Sequence, residues 1–404
     1  MFYREAGQFK TSYQEDQAAF PVREDRLGVT LLVVAALIVP LFANDFFINS
    51  ILIPFLIFAL AAIGLNILTG YCGQLSLGTG AFMGVGAYAC YKLTTIFPDV
   101  NIIVWVLVAG FFSAGIGVLF GLPSLRIKGF YLAVATLAAQ FFLEWCFIRI
   151  PWLYNNNPSG AIEVPTRTGL APLRYVIDRV AYGVEWAYSG LKSAVELIIP
   201  LQFLPEVQLR TLEAWGTPYA LSGPTADALT RYFVILAIVA LMTWLVGNLI
   251  RGRIGRSWMM IRDMDIAAEL IGVRPLVAKL SAFAVSSFVC GVAGALFVFM
   301  WLGAAEPSSF NIRLSFQVLF MVILGGLGSM AGSFMGAAFI FILPIVIRGL
   351  PGLFGVDVDA AMVEHLNLVI VGALIIGILI VEPHGLARMW SVLRQKLRVW
   401  PFPY

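Results

Sequence analysis

Side chains able to perform enzymatic chemistry are sparse in this sequence. The chain has only two histidines, His365 and His384, and their positions suggest no metal or nucleophile site. The four cysteines lie in or beside apolar segments and lack the Cys-x-x-Cys spacing of redox and zinc sites: Cys72, Cys90, Cys146 and Cys290. We therefore predict small core thiols, no catalytic residue, no metal and no cofactor.

Residues 73–80, Gly-Gln-Leu-Ser-Leu-Gly-Thr-Gly, have the glycine spacing of a nucleotide-binding P-loop. Thr79 stands where that motif requires lysine, and the segment adjoins a membrane span instead of following a strand. The chain is therefore not expected to bind ATP itself. Energy for active transport would come from a partner subunit or from an ion gradient.

Two glycine-rich interruptions of apolar sequence carry polar groups that could contact a solute. Glycine lets helices pack closely, or lets the backbone unwind where it lines a cavity. One interruption in each half of a chain is typical of transporters built from repeats. We predict that six residues line a translocation path, with helix packing as the alternative role: Asn66, Gln74, Ser76, Gly325, Gly326 and Gly328.

A third polar segment, residues 251–276, has basic residues before a short helical pattern. Asp263 is placed to cap the helix at its N-terminus, and Gly272 is placed to end it. A short rigid helix is what a membrane subunit needs to receive motion from a soluble motor. The alternative is a solvated loop that only obeys the positive-inside rule.

The composition indicates which elements hold these groups. Hydrophobic residues make up 60% of the 404 residues and charged residues 12%, which excludes an ordinary soluble enzyme. We predict an all-α polytopic membrane protein. With about 20 residues per crossing, the apolar runs suggest ten spans, near 28–44, 47–69, 76–97, 101–122, 129–150, 231–250, 277–302, 313–327, 331–349 and 364–381.

The positive-inside rule then predicts cytoplasmic N- and C-termini, because most of the 26 basic residues fall on one side of the ten alternating spans. We predict a retained N-terminal tail, two transmembrane halves, an outside insertion with an amphipathic helix in 173–199, and a cytoplasmic C-terminal tail. The N-terminal tail is 1–27, the two transmembrane halves are 28–150 and 231–382, the insertion is 151–230, and the C-terminal tail is 383–404. The net charge of +3 gives no reason to expect nucleic-acid binding.

At these motifs the chain resembles the permease subunits of bacterial ABC importers for branched-chain amino acids, of the type with the longer N-terminal region. The similarity covers roughly residues 45–150 and 230–390, and it rests on short patterns that are specific in combination. These are Gly-Leu-Asn at 64–66, Gly-Tyr-Cys-Gly-Gln-Leu-Ser-Leu-Gly at 70–78, Gly-Ala-Tyr at 86–88, the 251–276 loop, Leu-Gly-Gly-Leu-Gly-Ser at 324–329 and Glu-Pro-His-Gly-Leu at 382–386.

The resemblance implies a type II ABC importer fold in the bacterial inner membrane. It also implies a second homologous permease, two cytoplasmic ATPase subunits that bind the ATP, and a periplasmic substrate-binding protein. Residues expected to couple to an ATPase subunit are Arg253, Arg256, Arg262, Asp263, Ala267, Ala268 and Gly272. The sequence departs from the family at Thr79, where histidine is frequent, at Met259, and in the long 151–230 insertion.

We expect branched-chain or other hydrophobic amino acids as solutes, and urea, short amides and small carboxylates remain open because relatives carry them. A rival hypothesis is an ion-coupled secondary transporter, which would need an acid inside the membrane. Glu144 is the one clear candidate for that role. A membrane-embedded enzyme lacks the required cluster of reactive side chains.

Overall fold

The computed structural model describes residues 23–124, 131–157, 160–164, 223–353 and 385–399, with a few positions between 369 and 380. Its contacts divide the chain into two units, one formed by residues 8–53 and 168–234 and the other by the remainder. The first of these contains α1, Arg23–Phe42, and the beginning of α6, a helix that spans Gly223–Arg251. The Tyr232 hydroxyl donates a hydrogen bond of 2.9 Å to the Ala36 carbonyl, which joins the two helices.

The larger unit is a helical bundle built from apolar segments of roughly the predicted lengths. Its helices, numbered along the chain where they exceed five residues, are α2 Ile53–Asn66, α3 Thr79–Ile96, α4 Ile102–Ser124, α5 Tyr131–Arg149, α7 Arg253–Asp263, α8 Asp265–Leu270, α9 Pro275–Leu296, α10 Ile312–Gly325, α11 Met330–Leu353 and α12 Leu386–Val399, together with the end of α6.

Several helices continue into non-α backbone. π-Helical turns span Ile48–Leu52, Ile67–Tyr71 and Phe297–Leu302, and 3-10 turns span Pro151–Tyr154 and Pro307–Phe310. The strands found in the described part, β1 Ile162–Glu163 and β2 Ala304–Ala305, pair antiparallel. π-Turns inside helices are frequent at functional sites, so the helices that contain them are candidates for a functional role.

Glycine allows the central helices to approach to backbone contact. A Cβ on Gly86 of α3 would lie 2.0 Å from the Gly291 carbonyl oxygen of α9, and one on Gly294 would lie 1.9 Å from the Met83 carbonyl oxygen. No side chain fits there, and such close packing is typical of membrane helices. Conversely, large apolar side chains on the outer faces are exposed, including Phe111 of α4 and Trp145 of α5, as expected for contact with lipid.

Helices lie at the positions of nine predicted spans in the described part of the chain, but not all of them qualify as membrane-crossing helices. By length and composition, five described helices can cross a membrane: Asp45–Tyr71, Ile102–Leu122, Asp227–Arg251, Pro275–Leu302 and Pro307–Gly325. The shorter apolar helices Leu27–Pro40 and Met330–Ile345 coincide with two further predicted spans. The amphipathic helix predicted in 173–199 and most of the tenth span lie outside the described residues, and the count of ten stays a prediction.

Candidate functional site

The two predicted glycine-rich interruptions meet in the structure. Asn66, at the end of α2, is fully buried, and its amide nitrogen donates hydrogen bonds of 2.9 Å to the Ser329 carbonyl and to the Ser333 hydroxyl. Its amide oxygen accepts a 2.9 Å hydrogen bond from the Gly328 backbone N–H. An Asn side chain has two donors and one carbonyl acceptor, and all three are used within the chain.

Arg262 joins the same place from the 251–276 loop. Its Nη1 donates a 2.9 Å hydrogen bond to the Gly70 carbonyl, and its Nε donates one of 2.9 Å to the Asp263 carboxylate. Gly70 has no room for a side chain, because a Cβ would lie 2.2 Å from the Gly328 backbone nitrogen. We call the contacts among Asn66, Gly70, Arg262, Gly328 and Ser329 the polar junction.

The turn between α10 and α11 depends on glycine in two ways. Gly326 and Gly328 have φ values of 116° and 74°, which L side chains rarely adopt. A Cβ on Gly325 would lie 2.0 Å from the Gly332 carbonyl oxygen, so the two helices are in backbone contact at their ends. These predicted path residues therefore serve, in this conformation, to bring two helices and the polar junction together.

Gln74 and Ser76 lie farther along, on the non-helical segment between Tyr71 and Thr79. Both side chains are buried. The Gln74 backbone N–H donates a 2.9 Å hydrogen bond to the Leu68 carbonyl, while its amide oxygen has no hydrogen-bond partner among the described residues. Of the predicted path residues, Gln74 alone retains a free buried acceptor.

The start of α3 is satisfied by side chains from two other helices. The Leu77 N–H donates to the Thr136 hydroxyl at 3.0 Å, and the Ala81 N–H donates to the Gln140 amide oxygen at 2.7 Å. The Gly80 N–H donates to the Ser315 hydroxyl at 2.8 Å. Free N–H groups at a helix N-terminus could bind an anion, but here these three donors are occupied.

Gln140 is the functional candidate that the sequence did not reveal. It is fully buried in α5, and its amide nitrogen also donates a 2.7 Å hydrogen bond to the Phe310 carbonyl. A single polar residue within an apolar span is the sequence signal that could have identified Gln140. We instead assigned a functional role to Glu144, one turn later in the same span. Glu144 is only partly buried in the structure.

The 251–276 segment forms two helices, α7 and α8, rather than the single capped helix predicted. The prediction that Asp263 caps the helix is wrong: Asp263 is the last residue of α7, and Met264 occupies the N-cap of α8 without a side-chain cap. The reason is that α7 buries Trp258 and Ile261 on one face, which extends the helix to Asp263. Gly272 has φ +90° and lies in the turn directly after α8, where the sequence predicted the end of the helix.

The two helices are fixed to the bundle on one side and exposed on the other. The Trp258 indole N–H donates a 2.9 Å hydrogen bond to the Ser281 hydroxyl of α9. On α8 and the residues that flank it, four large apolar side chains are exposed, which we call the apolar ridge: Met264, Ile266, Leu270 and Ile271.

The predicted coupling residues divide by exposure. Ala267, Gly272, Asp263 and the arginines at 253, 256 and 262 are exposed, whereas Ala268 is 2% exposed and packs within its own chain. Ala268 is therefore not available to a partner. The residues of the apolar ridge were not among those predicted from the sequence. Only the structure could reveal the ridge, because the sequence does not show which face of so short a helix packs on the bundle.

No metal or redox site appears in the part of the chain that the structure describes. All four cysteines lie in that part and are free thiols, and its His, Cys, Asp and Glu residues form no group of three able to hold a metal ion.

Comparison with known proteins agrees with these features. The family described as branched-chain amino acid transport system / permease component matches residues 47–379. The high-affinity branched-chain amino acid transport system permease protein LivM of Salmonella typhimurium (strain LT2) is 29% identical over 338 residues, covering 83% of this chain and 68% of that protein. LivM of Escherichia coli (strain K12) has the same identity and coverage. No solved structure matches.

Members of this family are transport subunits of the inner membrane and not enzymes, and the apolar helices agree with a protein that crosses the membrane several times. The match covers most of the chain and includes the polar junction, the start of α3 and the apolar ridge. The chain belongs to the family of branched-chain amino acid transport system permease components.

Proposed function

We propose that this chain forms the translocation path of an ATP-driven importer of branched-chain amino acids and receives its driving motion through α8. In this proposal the termini and the 251–276 loop are cytoplasmic. The chain pairs with a second homologous permease, with two ATPase subunits that bind ATP, and with a periplasmic substrate-binding protein that delivers the solute. The 151–230 insertion lies on the periplasmic side.

The observation that carries the proposal is the apolar ridge on a helix that is fixed to the bundle. Leu270 is 84% exposed, and exposed apolar side chains clustered on a short helix favour a protein partner. The preceding helix, α7, is anchored to the bundle by Trp258, which bonds Ser281, and by Arg262, which bonds Gly70. A push on α8 would therefore pass through α7 to the interrupted span. A solvated loop would need neither the ridge nor the anchors.

The same contacts suggest how nucleotide binding changes the path. Closure of the ATPase subunits would displace α8, and Arg262 would carry the displacement to Gly70, where α2 and the α10–α11 turn meet. The buried polar side chains among the described residues are all uncharged, and a path lined by such groups suits a solute that is neutral or zwitterionic.

Affinity purification of the tagged chain from its native membrane tests the dock. The wild-type chain is expected to recover ATPase subunits, and Leu270→Asp or Ala267→Glu is expected to lose them, because either change places a charge in the apolar contact. Leu393→Asp makes the same change at another exposed leucine, on α12, and is expected to retain them. Equal recovery with all variants would refute the dock on α8.

A further inference from the structure

Aromatic rings from several elements meet inside the bundle, away from the polar junction. Tyr88 of α3 stacks on Phe147 of α5 with ring centroids 4.5 Å apart and planes 9° apart. Phe310, at the end of a 3-10 turn, packs edge-on to both rings, at 6.2 Å and 6.3 Å. Phe297 lies 6.0 Å from Phe310 and links these rings to α2 through Phe58, at 5.7 Å. We call these five residues the aromatic cluster.

Tyr88 carries an unusual polar group for such a place. Its side chain is 1% exposed, and its hydroxyl has no hydrogen-bond partner among the described residues. Buried hydroxyls normally form hydrogen bonds within the protein, because an unpaired one loses its hydrogen bonds to water and gains none in exchange. Asn66, Gln140, Ser315 and Ser333, by contrast, are buried polar residues whose side chains do form hydrogen bonds.

The aromatic cluster also sits where regular helices are interrupted. Phe310 is carried by the short turn Pro307–Phe310, which follows Gly303 at φ +80°. Phe297 begins a π-helical turn. Non-α backbone inside a membrane protein is tolerated where it is buried in protein or lines a cavity, and discontinuous helices mark solute sites in transporters.

Glycine lets the rings beside Tyr88 pack directly against the backbone of α3. Gly84 lies one turn earlier on α3, and a Cβ there would lie 2.5 Å from the Phe147 ring and 3.1 Å from the Phe310 ring. The rings therefore close against bare backbone, with no side chain of α3 between them. A displacement of Phe310 would open a gap bounded by backbone, two aromatic faces and the Tyr88 hydroxyl.

We infer that Tyr88, Phe147 and Phe310 bound a solute-binding site that is closed in this conformation, with the Tyr88 hydroxyl as its polar contact. This inference rests on the proposed function and names the part of the path that selects the solute. The aromatic rings suit a branched aliphatic side chain, and a phenolic hydroxyl can donate to a carboxylate. Tyr88 is thus a specificity-determining residue for a neutral amino acid.

The test compares Tyr88→Phe with Tyr91→Phe in the assembled importer purified without its binding protein. Both variants remove one hydroxyl from α3, but the Tyr91 hydroxyl accepts a hydrogen bond from Asn155, and Tyr91 is not one of the five residues of the aromatic cluster. Radiolabelled leucine is titrated onto each complex. The Kd for leucine is expected to rise about fivefold or more with Tyr88→Phe, as for loss of one hydrogen bond, and to stay unchanged with Tyr91→Phe.

A Tyr88→Phe complex that binds leucine as tightly as wild type would overturn the inference, as would wild-type complex without saturable leucine binding. Phe310→Leu provides a second variant that keeps an apolar side chain and enlarges the gap. It is expected to shift the preference from leucine toward phenylalanine, and an unchanged preference contradicts the site. ATP-dependent uptake by the wild-type importer is measured in parallel, since its absence would instead refute the proposed function.

Discussion

The polar junction and the aromatic cluster are held together by different forces. At the polar junction, Asn66 uses every hydrogen-bonding group of its side chain, and Arg262 reaches a backbone carbonyl 192 residues away in sequence. In the aromatic cluster, ring packing dominates and the Tyr88 hydroxyl is unpaired. A saturated hydrogen-bond network fixes one geometry, whereas the unpaired Tyr88 hydroxyl raises the free energy of the closed conformation of the aromatic cluster. The first region suits transmission of motion and the second suits opening.

The largest effect is expected from removing the amide at the centre of the polar junction. Asn66→Ala leaves the Gly328 N–H without its partner and removes a donor from the Ser329 carbonyl and the Ser333 hydroxyl, and the destabilisation is expected to be about 3 kcal/mol. The measurement is the apparent unfolding temperature of the purified protein in detergent. Asn248→Ala, at an exposed asparagine of α6, should leave that temperature unchanged. Equal effects of the two changes would show that the hydrogen bonds of Asn66 contribute nothing particular to the stability of the protein.

A smaller loss is expected from crowding the same junction. Gly70→Ala places a methyl group against the Gly328 backbone, and relief of the overlap is expected to cost about 2 kcal/mol. Gly115→Ala makes the same change on α4 where nothing lies within 4 Å, and it should be neutral or stabilising by up to about 1 kcal/mol. The pair is compared by thermal unfolding, and a tolerated Gly70→Ala would mean that α2 and the α10–α11 turn can separate freely.

Arg262→Ala is expected to change the coupling of ATP hydrolysis to transport more than the stability of the protein. The side chain is 38% exposed, so its loss is expected to cost only about 1 kcal/mol. Solute transported per ATP hydrolysed in the reconstituted importer should nevertheless fall several-fold, because α7, which links α8 to the bundle, loses its hydrogen bond to the interrupted span. Arg253→Ala, at another exposed arginine of α7, should keep the wild-type ratio. An unchanged ratio with Arg262→Ala would remove Arg262 from the coupling route.

The smallest expected stability change has the opposite sign and lies in the aromatic cluster. Tyr88→Phe removes a buried hydroxyl without a protein partner, so the closed conformation should gain up to about 1 kcal/mol. A rise in unfolding temperature with Tyr88→Phe, beside the fall with Asn66→Ala, would establish the contrast between the regions. A fall with both would mean that the Tyr88 hydroxyl is paired in the membrane.

Local features of this molecule were predictable from sequence. The interruptions at 72–78 and 326–329 follow from glycines and polar residues within apolar runs, and the positive φ values at Gly272, Gly326 and Gly328 fit the turns predicted there. The spans follow from hydropathy because an apolar segment of that length has few alternatives in a membrane.

Partners across the fold were not predictable. Asn66 and Gly328 are 262 residues apart, and no local pattern encodes their hydrogen bond. Gln140 was overlooked in favour of Glu144, since charge is a stronger signal in sequence than an uncharged amide. The apolar ridge and the burial of Ala268 depend on which face of α8 meets the bundle, and tertiary packing decides that.

Leucine uptake into proteoliposomes is the most direct test that this permease component works in an ATP-driven importer. The vesicles hold the chain with its co-purified partners and receive ATP or a proton gradient in separate runs. We predict uptake with ATP alone, lost with Leu270→Asp and unaffected by Glu144→Gln. Uptake driven by the proton gradient without ATP, and abolished by Glu144→Gln, would contradict the importer and identify an ion-coupled transporter.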